Sequence, residues 1–339
     1  MSDFAWHGWI IATAAAAAVA CAVPGVYLVL RRMSMMGDAI SHAVLPGLAG
    51  AFIMAAWFKQ LQAAGELPGW LHFVAAGDPR SSWLMFAGAV LVGVFTSLLT
   101  QLIHKAGRVE EQAAMGVAFT TLFALGLVMI EHAGHLVDLD PRCVLYGTVE
   151  LAPLRQISVF GLFMPRSFAQ LAAVLLLNLA FVGLFYKELK LAAFGPASAH
   201  SLGVNATVMH YGLMAVVAVT TVAAFEAVGS ILVIAMLVAP AATGLLLSRR
   251  FGVVLLLAVL LAAASAVLGH LTAVTLPPAL GLGEANTAGS MAAASGLLFV
   301  LAMLFSPGQG VLTRRFRTGR RARSAPVPQV LAVHGEEMA

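Results

Sequence analysis

The chain has 339 residues, of which 61% are apolar, 10% are charged and 8% are aromatic, and its formal net charge is +4. A soluble domain averages about 25% charged residues, so this composition excludes an ordinary soluble protein. The apolar residues fall in runs of about 20 rather than in alternating segments of about ten, which predicts an all-α, polytopic helical membrane protein.

Nine membrane spans are predicted in chain order, each near the length of about 20 residues that crosses a bilayer core. An eight-span alternative treats residues 206–247, an almost continuous apolar stretch marked only by Glu226 and Gly229, as one long broken element. Residues 150–167 contain Pro153 and Pro165 near their two ends and predict a further short re-entrant or interfacial helix. The nine spans are residues 9–30, 37–58, 83–104, 112–131, 168–186, 206–225, 228–247, 251–272 and 288–306.

The distribution of Lys and Arg predicts the orientation in a bacterial cytoplasmic (inner) membrane. With the N-terminus outside, 14 of the 19 Lys and Arg residues lie on the cytoplasmic side, as the positive-inside rule requires. The transmembrane domain is predicted over residues 1–312, followed by a basic, disordered cytoplasmic tail over 313–339. The six Arg of that tail are interpreted as a topology anchor in contact with anionic lipid, so no nucleic-acid partner is expected.

The second predicted span contains the most informative pattern, MSMMGDAISHAVLPG over residues 33–47. Asp38 and His42 are four residues apart and therefore share one helix face. Ionisable side chains at membrane depth are costly, and a carboxylate with an imidazole suits a divalent cation such as zinc or manganese. In the alternative interpretation, Asp38 caps a helix and His42 hydrogen-bonds a neighbouring span.

Three other places in the sequence are weaker candidates for metal contact. Glu226 is either a third metal ligand or an outer-interface residue that faces water. The sequence EHAGH over residues 131–135 could collect a metal but is more typical of a solvated loop end, and Cys143 is more typical of an ordinary loop thiol. Five scattered histidines are interpreted as packing or interface residues: His72, His104, His200, His210 and His270.

The inner loop KELKLAAFGPASAHSLGVN, residues 187–205, is the candidate contact with a cytoplasmic protein. Its break at Phe194-Gly195-Pro196 predicts a turn followed by a short helix over residues 197–202, where Ala199 and other small residues would allow close approach to a partner. The sequence contains no GxxxxGK[ST] motif, so the chain is expected to be a transport subunit, not an enzyme, without its own nucleotide site.

The segment RRMSMMGDAISHAVLPG resembles the signature of the zinc/manganese/iron family of ABC-transporter permeases. KELKLAAFGPASAHSLGV resembles the coupling segment of that family, VGSILVIAMLVAPAAT its late-helix motif, VDLDPRCVLYG an outer segment, and FSPGQGVLTRR its usual ending. The resemblance implies the helical fold of vitamin B12 and siderophore importers. It also implies a homodimer or paired permease, two cytoplasmic ATPase chains, and an extracytoplasmic protein that delivers the metal.

We therefore expect Asp38, His42 and Glu226 to contact the metal. The residues expected to contact the ATPase are Phe194, Gly195, Pro196, Ala199 and Gly203. Gly195 departs from the family's usual Phe-Asp-Pro, which leaves the details of the ATPase contact open. No permanently bound cofactor is expected, only a transported Mn, Zn or Fe ion. The alternatives are a permease for a siderophore or haem chelate, disfavoured by the low aromatic content, and a proton-coupled secondary transporter.

Overall fold

The computed structural model describes residues 3–64, 82–133, 149–154, 156–159, 162–195, 199, 201–279, 281, 285–306 and 310. Within these ranges, nine helices are long and apolar enough to cross a membrane. The predicted all-α, nine-span architecture is therefore confirmed. The predicted tail over 313–339 lies outside the described residues.

The helices are numbered in chain order, and the second span is built from two of them. A 3₁₀ helix over Val149–Leu154 and two short strands, β1 (Gln156–Val159) and β2 (Leu162–Pro165), separate α5 from α6. The helices are α1 (Asp3–Leu30), α2 (Met36–Ala43), α3 (Leu45–Ala64), α4 (Ser82–Gly107), α5 (Glu111–Ala133), α6 (Arg166–Leu184), α7 (Tyr186–Phe194), α8 (Ala206–Val228), α9 (Ser230–Leu247), α10 (Phe251–Ala279) and α11 (Thr287–Phe305).

Helix α1 forms the centre of the core. In its most apolar window, 78% of the residues are buried inside the protein, against 22% for α6 and for α11. It packs against α6, α8, α9 and α10. Its run of alanines allows this close packing, because small side chains let helix backbones approach one another. Gly25 is the extreme case, since a side chain there would meet the Leu237 backbone.

A second group of helices, α3, α4 and α5, packs together beside this core. Gly47 on α3 and Gly88 on α4 lie where the two helices approach most closely. A Cβ at Gly47 would lie 2.5 Å from the Gly88 carbonyl oxygen. Helix α2 lies between the two groups and contacts α4 and α5 on one side and α8 and α9 on the other.

Gly229 separates α8 from α9 and decides between the nine-span and eight-span alternatives. Its φ of 82° and ψ of 166° interrupt the helix in a conformation that favours glycine. The chain then resumes as α9 at Ser230. The continuous apolar stretch is thus two spans.

The helix predicted over residues 150–167 is wrong in part. Among the described residues of this stretch, Val149–Leu154 forms a 3₁₀ turn, and β1 and β2 pair as antiparallel strands with Gln156 opposite Pro165 and Val159 opposite Leu162. The β-branched Ile157 and Val159 favour strand over helix. Pro165 has an extended backbone with φ −58° and ψ 136°, and α6 begins directly after it.

Candidate functional site

Asp38 and His42 lie on the same face of α2, as their spacing predicts. His42 Nε2 is 3.2 Å from Asp38 Oδ1, and the His42 and Asp38 side chains are 33% and 30% exposed. The alternative in which Asp38 caps the helix is wrong, because α2 begins at Met36 and its N-cap, Met35, makes no side-chain hydrogen bond. The carboxylate and imidazole are therefore adjacent, half-buried and accessible to a small ion.

The rest of α2 is buried, which fixes the direction of this polar face. Met36, Ile40 and Ala43 are inaccessible to solvent, and Ser41 donates a hydrogen bond of 2.8 Å to the Gly37 carbonyl within the helix. Because the other residues of α2 are packed against the protein, the helix has little freedom to rotate Asp38 and His42 to a different position. The helix thus presents the pair at one fixed place.

Two aromatic residues of α5 flank the imidazole. The ring centroid of His42 is 6.3 Å from that of Phe119 and 5.8 Å from that of Phe123, the latter in an edge-on arrangement. These phenylalanines were missed in the sequence. Their separation of four residues on an apolar helix was the available signal, but nothing local indicates which neighbour they face.

The second span is broken directly after this pair. α2 ends at Ala43, the N–H of its C-cap Val44 donates to the Ile40 carbonyl, and α3 begins at Leu45. Pro46 has no N–H, so it cannot donate to the His42 carbonyl as a continuous helix would require. Gly126 of α5 accommodates the break, since a Cβ there would lie 2.6 Å from the Pro46 ring. Interrupted helices of this kind place polar backbone beside an ion path.

Glu226 does not join Asp38 and His42 to form one metal site. It is exposed near the end of α8, and its Oε2 accepts a hydrogen bond of 3.1 Å from the Gln170 amide of α6. Across the described ranges, no three His, Cys, Asp or Glu residues lie close enough to hold a metal ion together. Within the described ranges, Asp38 and His42 therefore form a pair without a third potential metal ligand nearby. His135 and Cys143 lie outside the described residues.

The candidate coupling segment has one side exposed and one side buried. Phe194 is 64% exposed and its ring lies edge-on to Phe251, with 6.1 Å between centroids. Gly195 is extended, and Gly203 has a φ of 77° with open space around it. Residues 199 and 201 are helical, in agreement with the predicted short helix, while Pro196 lies outside the described residues.

Ala199 requires a correction. It was expected to face a partner protein, but it is fully buried against Ala192 and Ala206 of the same chain. A side chain without exposed surface cannot itself contact another subunit. Its small size instead allows the segment to pack onto α7 and α8, which leaves Phe194 and Leu202 as the exposed apolar residues.

Comparison with known proteins matches the sequence to one family. The sequence profile of the ABC 3 transport family matches residues 4–306, almost the whole described region. The chain belongs to the ABC 3 transport family.

Membrane proteins of metal transport systems from several bacteria are similar to nearly the whole chain. The manganese transport system membrane protein MntD of Bacillus subtilis is 39% identical over 92% of this chain and 96% of its own length. The zinc transport system membrane protein TroD of Treponema pallidum is 38% identical over 90% of this chain and 75% of its own. The chelated iron transport system membrane protein YfeC of Yersinia pestis is 30% identical over 91% and 88%.

A solved structure has the same fold as this ABC 3 family chain. PsaBC from Streptococcus pneumoniae, in complex with Fab, superposes with a TM-score of 0.69 over 91% of this chain and 94% of that chain, at 24% sequence identity. At this identity the likeness concerns the fold alone.

Proposed function

We propose that the chain is the membrane-spanning subunit of a bacterial ABC importer and moves Mn²⁺, Zn²⁺ or Fe²⁺ across the inner membrane. The relatives in the family are membrane proteins of manganese, zinc and iron transport systems. The observation that carries the proposal in this chain is the half-exposed Asp38–His42 pair on the broken second span. Metal is the transported substrate, not a resident cofactor.

The chemistry of the pair fits a divalent transition metal in transit. Imidazole binds zinc and iron well, and carboxylate oxygen binds manganese. Stable zinc sites in proteins use four ligands, whereas this helix offers two. A contact with few ligands binds weakly enough for the ion to leave, as conduction requires. The negative charge of Asp38 offsets part of the ion's desolvation cost.

Metal uptake by cells or proteoliposomes tests the role of this pair. Asp38→Asn removes charge and His42→Gln removes the imidazole, each with nearly the same volume, so each should lower uptake at least tenfold while insertion stays normal. Glu110→Gln is the control, because Glu110 is an exposed carboxylate in the loop between α4 and α5. Wild-type uptake by a folded double variant of Asp38 and His42 would contradict the proposal.

Proton competition gives a second readout. Metal binds neutral imidazole and ionised carboxylate, so acidification should raise the metal concentration needed for half-maximal uptake. The maximal rate at saturating metal should change less, because excess ion outcompetes protons. A pH effect of equal size in the His42→Gln variant would contradict a role of His42 in metal contact.

Glu226 is proposed to attract the cation near the outer end of the path. It lies on the last turn of α8, at the end predicted to face outside, and its carboxylate is exposed. Glu226→Gln keeps the shape and the capacity to hydrogen-bond Gln170. It should reduce uptake at limiting metal and leave uptake at saturating metal unchanged.

ATP energy is proposed to enter through a separate cytoplasmic ATPase bound at the surface around Phe194 and Leu202. These two apolar side chains are exposed on the side predicted to be cytoplasmic. Gly195, Pro196 and Gly203 would set the path of the segment. An extracytoplasmic protein would deliver the metal, and a second permease copy or a related chain would complete the pathway. Leu202→Asp should reduce co-purification of the ATPase. Val109→Asp is the control, because it makes the same change at an exposed apolar position outside the coupling segment.

The metal itself is identified by uptake competition. Radioactive manganese is supplied with unlabelled Mn²⁺, Zn²⁺ or Fe²⁺ in excess, and the same series is repeated with radioactive zinc. The transported ion is the one that competes at the lowest concentration. Dependence on the separate ATPase and ATP distinguishes this importer from a proton-coupled carrier.

A further inference from the structure

A polar pocket of about 200 Å³ lies at the predicted cytoplasmic ends of α1, α4, α5 and α8. Arg31 follows α1, His104 and Lys105 end α4, Glu111 begins α5, and His210 lies in the first turns of α8. The pocket shares no residue with the Asp38–His42 pair, and Ala206 and Thr207 of its lining directly follow the coupling segment, residues 187–205. The proposed transport function does not use it.

The charges of this polar pocket favour an anion. Arg31 and Lys105 are cationic, and neither makes an ion pair with a described residue. The one carboxylate in the pocket, Glu111, accepts a hydrogen bond of 2.7 Å from the Gln101 amide. A divalent cation would be repelled by the two basic side chains, so the pocket is unsuited to the transported metal.

His210 supplies the observation that points to a missing ligand. Its side chain lines the pocket and is only 7% exposed, yet neither ring nitrogen has a hydrogen-bond partner. A buried polar group without a partner is costly, and the great majority of such groups in proteins are paired. An oxyanion in the pocket would accept a hydrogen bond from the ring N–H.

An apolar groove of about 440 Å³ continues from the polar pocket along α4. Both cavities share Gln101, Lys105 and Tyr211. The groove is lined by Phe95, Leu98, Leu99 and Leu102, and three of these side chains, at positions 95, 98 and 102, are exposed.

The length of the groove suits one lipid chain. From residue 95 to Lys105 the helix rises about 15 Å, at 1.5 Å per residue. This equals half of the roughly 30 Å hydrocarbon core, which is the depth of one leaflet. The polar pocket is at the predicted cytoplasmic end, where phosphate headgroups of the inner leaflet lie.

We propose that the polar pocket and the groove together bind one anionic phospholipid of the inner leaflet. The headgroup phosphate contacts Arg31, Lys105 and His210, and one acyl chain lies along Leu98 and Leu102. Basic pockets between helices at the cytoplasmic side suit anionic headgroups. The continuous apolar groove favours a lipid over free phosphate. Because α4, α5 and α8 also contact α2, a bound lipid would hold together the helices that position Asp38 and His42.

The test compares lipids with matched acyl chains. The purified full-length chain is titrated with dioleoyl phosphatidylglycerol or dioleoyl phosphatidylcholine, and lipid retention by native mass spectrometry and the thermal midpoint are measured. We expect at least tenfold tighter binding of phosphatidylglycerol. Lys105→Gln and Arg31→Gln should each lower this preference several-fold. Lys190→Gln is the matched control, since it removes the same charge from an exposed position outside the pocket.

Two further arms separate the possible occupants. Leu98→Trp, which fills the groove, should weaken phosphatidylglycerol binding with no change in oligomeric state. Stabilisation by inorganic phosphate that equals that by phosphatidylglycerol and is insensitive to Leu98→Trp would overturn the lipid in favour of a free phosphate. Equal binding of the two lipids would also overturn the proposal. So would a change of oligomeric state in Leu98→Trp without loss of lipid, because the groove would then be an interface between copies.

Discussion

Replacing Ala199 by glutamate distinguishes a residue that supports the coupling segment from one that contacts a partner. Ala199 is fully buried between Ala192 and Ala206, whereas Leu202, three residues later, is 66% exposed. A carboxylate introduced at Ala199 would lie beside the apolar Ala192 and Ala206, which cannot pair with its charge. An uncompensated buried charge costs about 3 kcal/mol or more.

The two substitutions should therefore act on different properties. Ala199→Glu should lower the free energy of unfolding of the isolated permease by about 3 kcal/mol, while Leu202→Glu should change it by less than about 0.5 kcal/mol, as is usual at exposed positions. SDS titration followed by tryptophan fluorescence measures this difference without the ATPase present. Ala199→Ser, which adds a small group able to hydrogen-bond, is the volume control.

ATPase co-purification provides the complementary readout. Leu202→Glu should weaken ATPase binding with a stable permease, whereas any loss in Ala199→Glu should follow the loss of stability. An Ala199→Glu permease with wild-type stability that no longer binds the ATPase would refute the assignment of Ala199 to the interior of the chain.

Two more predictions concern the packing that holds the site. Gly88→Ala should lower both the free energy of unfolding and metal uptake, because its Cβ would lie 2.8 Å from the Gly47 carbonyl oxygen. Gly183→Ala is the control, since open space surrounds Gly183, and it should leave the free energy of unfolding unchanged or raise it by up to about 1 kcal/mol. Equal effects of the two substitutions would contradict the close approach of α3 and α4. The Asn178 amide donates to an α1 carbonyl at 2.8 Å and to the Thr220 hydroxyl at 2.9 Å. Asn178→Leu should therefore lower the free energy of unfolding by about 1–2 kcal/mol. A double-mutant cycle with Thr220→Val should give a coupling energy of at least 0.5 kcal/mol, and strict additivity would rule out the direct bond.

The sequence alone determined the membrane architecture. Hydropathy and length are local properties, since each span must satisfy its own backbone and meet lipid along its length. The relation between Asp38 and His42 was equally accessible, because helical geometry places residues four apart on one face whatever surrounds them. Glu226 and Gly229 were the two residues that marked a turn within residues 206–247, and the positive φ of Gly229 separates α8 from α9 there.

Tertiary structure alone decided which side chains face one another across elements. Ala199 looked suited to a partner by its size, yet packing turned it inward, because residue type does not encode the direction a short helix faces. The Phe119 ring lies beside that of His42, and Arg31 and His210 line the same pocket, although long stretches of chain separate the members of each pair. These contacts depend on how whole helices cross one another, for example at the close approach of Gly47 to Gly88. The hydropathy of a single segment does not indicate which other segments pack against it.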